Sequence, residues 1–198
     1  MIVKQYIQNL FPFLLVTLIM YSVTLKFIKQ KKLLHEIIIL YFAAFLTFVP
    51  LTGLSLGDYL LSLNPNYSIG SVALVLILLW PKIMDQPLLS KDHLVIFCSW
   101  NVVFSLLLFS SSLGLIPYDM YALGYNFSLW FVVVALFTLA SIWFWYPLSF
   151  IFLAYIAAFN LNLLPSPNFF DYITDGFLFL MSAGALAFWA WQHRSGGL

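Results

Sequence analysis

Residues 94–113 read LVIFCSWNVVFSLLLFSSSL, an apolar run with no charged side chain. A helix rises about 1.5 Å per residue, so a run of this length matches the roughly 30 Å hydrocarbon core of a bilayer. Lys91, Asp92 and His93 precede it, and the turn-forming Gly114, Pro117 and Asp119 follow. Working outward in both directions, similar runs recur at about residues 7–28, 37–56, 68–84, 127–145, 147–164 and 172–191. The sequence therefore predicts an all-α, polytopic transmembrane helix bundle of about seven spans, forming one integral-membrane domain over residues 1–198. The 68–84 stretch is short and holds Pro81, and the junction Trp145-Tyr146-Pro147 must turn the chain without a charged residue. If either fails to cross, about six spans remain.

Only 8% of the 198 residues are charged, while 64% are apolar and 20% aromatic; soluble domains carry roughly 25% charged residues. A compact globule of this size has too much surface to hide so large an apolar share from water. That excludes a water-soluble domain and makes the lipid bilayer the first expected partner. The formal net charge of +1 offers no general field for nucleic acid. A single cysteine, Cys98, excludes an intrachain disulfide and a thiolate metal cluster. Its place inside an apolar run predicts a small buried hydrophobe. The first apolar run lacks a small-x-small cleavage site and reads as a retained span.

Lys26, Lys29, Lys31, Lys32 and His35 fall between the first and second spans, Lys82 and Lys91 between the third and fourth, and His193 and Arg194 after the seventh. Basic residues collect on the cytoplasmic side, so the expected topology places the N-terminus outside and the C-terminus in the cytoplasm, in a bacterial inner membrane. The opposite loops hold Asp58, Asp119, Asp171 and Asp175, with Lys4 as the one basic exception on that side. Trp80, Trp143, Trp145, Trp189 and Trp191 crowd the proposed ends as an interfacial belt. Ala183, Ala187 and Ala190, and likewise Ala154 and Ala158, recur at helical spacing and are expected to face neighbouring helices.

Two turns echo each other. Asn64-Pro65-Asn66-Tyr67 and Ser166-Pro167-Asn168-Phe169 each lead towards a glycine near a helix start, Gly70 and Gly176. Their placement suggests a three-plus-one-plus-three arrangement of spans, which some small-solute transporters use, although Pro-Asn turns occur in loops of every kind.

No Asp, Glu, Lys, Arg or His lies well inside a proposed span. Ionisable groups at membrane depth mark proton relays, voltage sensors, Schiff-base sites and intramembrane metal sites, so the sequence argues against those classes. Trp100 and Asn101 form the deepest polar pair. An amide at mid-membrane needs a partner, which makes the pair either interhelical glue or a contact for a polar, uncharged solute. On the outer side, Asp58, Tyr59, Tyr118, Asp119, Tyr125, Asp171 and Asp175 form the candidate polar cluster. If these groups converge they can bind a cation or a headgroup or perform acid–base work; solvated loops and helix caps are the plainer reading. No nucleophile elbow, phosphate-cradling loop or His-x-x-x-His pair occurs, and no catalytic residue, cofactor or metal is implied. The expected function is that of a non-enzymatic accessory or structural subunit of a larger membrane or envelope complex, with another membrane protein as partner. A small-solute or lipid transporter and an outer-face carboxylate enzyme are the alternatives.

Overall fold

The computed structural model describes residues 2–27, 33–51, 53–125, 129–144 and 146–195. Among them the chain is all-α, with no strand. The helices are α1 (Ile2–Phe27), α2 (Leu33–Phe48), α3 (Leu56–Leu63), α4 (Ile69–Met84), α5 (Lys91–Ser112), α6 (Leu129–Phe144), α7 (Tyr146–Asn160), α8 (Phe170–Ile173) and α9 (Gly176–Ser195), with a 3-10 turn at Tyr121–Gly124. Two stretches, Gln8–Phe27 and Lys91–Ser112, are long and apolar enough to cross a membrane, whereas Leu33–Phe48, Ile69–Met84, Phe131–Trp143 and Pro147–Asn160 are apolar but shorter. Helix α9 has 20 residues and a polar end, with His193 and Arg194 in its last turn.

Two of the stretches expected as single helices are broken. The stretch expected to span 37–56 is helical only to Phe48, because Pro50 has no N–H to continue the ladder and disfavours helical backbone at Val49. A separate helix then begins at Leu56 with a capping box: the Ser55 side chain accepts from the Asp58 N–H while the Asp58 carboxylate accepts from the Ser55 N–H. The stretch expected to span 172–191 is broken at Thr174, whose extended backbone ends α8, and α9 restarts at Gly176. Lys29, Lys31, Lys32 and Trp145, expected at the ends of the spans, lie outside the described residues.

By internal contacts the chain divides into two units. The first comprises Met1–Tyr67, Ser71–Leu88 and Leu163–Pro165; the second comprises Ser68–Gly70, Leu89–Asn162 and Ser166–Leu198. In the first, α1 packs along α2, and α3 touches both. In the second, α6 packs along α7, and α5 makes an extended contact with α9.

Helices α2 and α5 expose large apolar side chains along one face. Helix α2 buries Ile39, Ala43 and Thr47 while Ile37, Ile38, Tyr41, Phe42 and Phe45 are exposed. Helix α5 buries Asn101, Ser105 and Ser111 together with Phe97, Cys98 and Leu108, and exposes Val103, Leu106 and Leu107. Small polar side chains let helices approach and bond, and large apolar ones turn outward, which is the pattern favoured where the solvent is hydrocarbon. The small-residue faces expected from the sequence are only partly used. Ala158 is buried, but Ala154, Ala187 and Ala190 are exposed, because α9 meets α5 through the stripe that contains Leu178 and Ser182 rather than the one that contains Ala187.

Each unit contains the same aromatic construction. In the first, Asn64 Oδ1 accepts from the Asn66 N–H at 3.1 Å, the next residue, Tyr67, is buried and stacked on Phe11 of α1 at 3.8 Å, and Phe48, the last residue of α2, meets Phe13 of α1 at 6.3 Å. In the second, Ser166 Oγ accepts from the Asn168 N–H at 3.0 Å, the next residue, Phe169, is buried and stacked on Phe131 of α6 at 4.8 Å, and Phe159 in the last turn of α7 meets Phe131 at 5.7 Å. A helix hairpin, a side chain accepting across a proline, and an aromatic folded back onto the first helix thus recur in the same order. The short helix differs in place: α3 precedes its turn and α8 follows its own.

Candidate functional site

At one end of the second unit, the 166–168 turn and the 3-10 turn are locked together. Asn168 is fully buried; its Nδ2 donates to the Tyr121 carbonyl at 2.9 Å, its Oδ1 accepts from the Phe170 N–H at 2.9 Å, and the Phe169 N–H donates to the Gly124 carbonyl at 2.9 Å. A Cβ on Gly124 would overlap Asn168 Oδ1, so the absence of a side chain there permits the approach. Asp171 receives the Tyr121 hydroxyl at 2.6 Å on one oxygen and the Ser166 hydroxyl on the other. Burial, and then the hydrogen bond to Asp171, push the Tyr121 phenol well above its ordinary range. The Tyr121 hydroxyl therefore stays protonated and acts as a donor.

The four carboxylates expected on the outer side serve separate structural tasks. Asp175 caps α9, its Oδ1 accepting from the Leu178 N–H at 2.9 Å, while its Oδ2 accepts from the N–H of buried Ser68 at 2.6 Å. One carboxylate thereby closes the start of α9 and fixes the residue that precedes α4. Asp58, in the first unit, accepts from the Ser55 N–H at 2.8 Å and the Ser55 hydroxyl at 2.7 Å; these hydrogen bonds, the hydroxyl's first, hold its carboxyl below the usual range. Asp119 accepts from the Ala122 N–H at 3.1 Å within its own turn. Tyr118 is exposed and offers its carbonyl to the Ser111 hydroxyl at 2.7 Å. Tyr125 is exposed and meets Tyr121 edge-on at 5.7 Å, and exposed Tyr59 offers its carbonyl to the Ser62 hydroxyl. Among the described residues, no group of three or more His, Cys, Asp or Glu side chains is placed to hold a metal ion.

A second polar region lies inside the second unit. The hydroxyls of Ser105 on α5 and Thr174 before α9 are 2.6 Å apart. One turn earlier on α5, Asn101 is 0% exposed; its Nδ2 donates to the Phe97 carbonyl of its own helix at 2.9 Å, and its Oδ1 has no partner. Trp100 stacks on Phe104 at 4.8 Å and meets Phe152 edge-on at 5.5 Å. Ser182 on α9 and Tyr155 on α7 are also fully buried with unpartnered hydroxyls. The sequence reading singled out Trp100 and Asn101 but missed Ser182 and Tyr155. A serine within Met181-Ser182-Ala183 and a tyrosine within Ala154-Tyr155-Ile156 resemble ordinary helix-packing positions, and no local spacing distinguishes them. No family model matches the chain, and no curated protein or solved structure shows significant similarity to it.

Proposed function

We propose that the chain is a multi-pass membrane protein of about seven spans, N-terminus outside and C-terminus cytoplasmic, that passes a small neutral polar solute across a bacterial inner membrane. The observation that carries the transport reading is the repeated hairpin, turn and stacked aromatic, with Tyr67 on Phe11 and Phe169 on Phe131. Duplicated helical modules separated by a single helix are an architecture of solute carriers, because equivalent modules can adopt alternative packings of similar energy. The exposed apolar faces of α2 and α5 support lipid as the solvent. The 15- and 16-residue helices are accommodated by local thinning of the bilayer. Neutrality of the solute follows from the interior: the buried polar residues are Ser, Thr and Asn, with the tyrosines Tyr21, Tyr67, Tyr155 and Tyr172, and no buried charge is present among the described residues to balance an ion.

The test is solute entry into proteoliposomes by stopped-flow light scattering, with glycerol as the neutral probe and sodium chloride as the charged one. Glycerol entry above that of empty vesicles, without a matching salt leak, supports the proposal; glycerol entry equal to that of empty vesicles overturns it. Topology is checked with a reporter after His193, expected in the cytoplasm, and with a cysteine placed at Ser166, expected to label from outside.

The accessory-subunit reading retains one observation in its favour: the outer carboxylates are engaged in their own turns and caps, while α2 exposes Ile37, Ile38, Tyr41 and Phe42. A stoichiometric co-purifying membrane protein in mild detergent, lost on Ile38→Asn, supports that reading.

A further inference from the structure

We propose that Asn101 Oδ1, Ser182 Oγ and Tyr155 Oη form a binding site for a neutral polyhydroxy solute inside the second unit, an assignment that rests on the transport reading above. Three helices supply the atoms: α5, α9 and α7. Two contacts set the register of α5 against α9. The Ser105 and Thr174 hydroxyls pair at 2.6 Å, and the Cys98 thiol lies against Ser182. Between those levels Asn101 stands one turn from Ser105, and Leu178 one turn from both Thr174 and Ser182. The thiol is a weak partner and leaves the Ser182 oxygen unsatisfied. Tyr155 reaches the same level, because its hydroxyl and the Leu178 Cδ2 atom both crowd the position a Cβ would take on Gly70, at 3.1 and 2.5 Å.

Buried polar atoms in folded proteins are nearly always satisfied by protein, water or ligand. Here three of them are on side chains 0% exposed, and the register of α5 against α9, with the shared approach to Gly70, puts them at the level of Leu178. Interhelical glue would find its partner on a neighbouring helix, yet the Asn101 amide bonds only to its own helix. The chemistry of the unsatisfied atoms defines the ligand. Asn101 Oδ1 only accepts, whereas the Ser182 and Tyr155 hydroxyls both donate and accept, so the complement must donate to the first and exchange with the others, as hydroxyl groups do. The aromatic wall of Trp100, Phe104 and Phe152, with Phe152 edge-on to Tyr155 at 5.8 Å, offers an apolar face to the carbon skeleton. A trapped water presents the same donors without that skeleton, and the test separates the two.

The chain carries its own reporter: Cys98 is its single cysteine, buried, and three residues before Asn101. The experiment measures alkylation of Cys98 by iodoacetamide in proteoliposomes, with glycerol or with betaine at equal osmolality. Glycerol is expected to slow alkylation and betaine to leave it unchanged. Losing one hydrogen bond weakens binding by roughly tenfold, so Tyr155→Phe and Ser182→Ala are each expected to raise the half-protecting glycerol concentration by about that factor. Both variants delete only an oxygen, and their melting temperatures are expected to match or exceed that of the parent. Asn101→Leu is expected to abolish protection. Equal slowing by betaine, unchanged protection in Tyr155→Phe and Ser182→Ala, or a thiol that reacts only after denaturation overturns the site. Water as the occupant overturns it too, and appears as loss of thermal stability in Tyr155→Phe without any glycerol protection in the parent. Protection without glycerol flux retains the site and defeats the transport reading; flux without protection does the reverse.

Discussion

Replacing Asp175 with alanine removes two hydrogen bonds of different kinds. The 2.9 Å bond to the Leu178 N–H is the cap of α9, and losing such a cap costs about 1 kcal/mol. The 2.6 Å bond to Ser68 serves the backbone of a residue that is 0% exposed, and taking the acceptor from a buried N–H costs roughly 1–3 kcal/mol. The sum is about 2–4 kcal/mol, which for a chain of this size lowers the melting temperature by roughly 5–15 °C. Asp175→Asn keeps one carbonyl oxygen and should fall between the parent and the alanine variant, at about 1–2 kcal/mol. The measurement is thermal unfolding of the purified chain in detergent, followed by circular dichroism. Asp119→Ala is the comparison: its carboxylate is exposed and holds one N–H of its own turn at 3.1 Å, so about 0.5–1 kcal/mol is expected. If Asp175→Ala is no more destabilising than Asp119→Ala, the reasoning that one carboxylate secures two helix starts is wrong.

Gly124→Ala forces a methyl group onto Asn168 Oδ1 and should cost about 2 kcal/mol or more; an unchanged melting temperature would refute the locked-turn description. Leu178→Ala, at 0% exposure, should cost about 2–5 kcal/mol, whereas Ala187→Leu, on an exposed face of α9, should change stability by less than about 0.5 kcal/mol; the reverse order would place α5 on the alanine face. Asp58 gives a pH dependence of defined sign. Its carboxyl is held below the ordinary value, so the folded chain binds that proton less readily than the unfolded one, and the stabilisation is complete above about pH 4 and fades as pH falls through the lowered value. The group is exposed, so the contribution is below about 1 kcal/mol. The gap in melting temperature between parent and Asp58→Ala should shrink in acid, and a constant gap down to about pH 2 would refute the assignment.

The sequence by itself determined the helical class, because runs such as 94–113 need only local periodicity and length to be read. It also carried a helix-cap and dipole reading for Asp171 and Asp175, although it put Asp175 in the first turn of a span from about 172 where the structure makes it the cap of α9, and it showed the paired Pro-Asn-aromatic turns as an echo. The helix breaks at Pro50 and Thr174 were obscured by apolar residues that continue across them. A hydropathy run records solvent preference and not backbone continuity. Only the tertiary structure turned the echo into a shared construction, because the stacking of Tyr67 on Phe11 and of Phe169 on Phe131 joins residues far apart in the chain. The same holds for the face of α9 that meets α5 and for the unpartnered oxygens of Asn101, Tyr155 and Ser182. Whether a polar atom is satisfied depends on what distant helices bring to it, and that information exists only once the helices have packed.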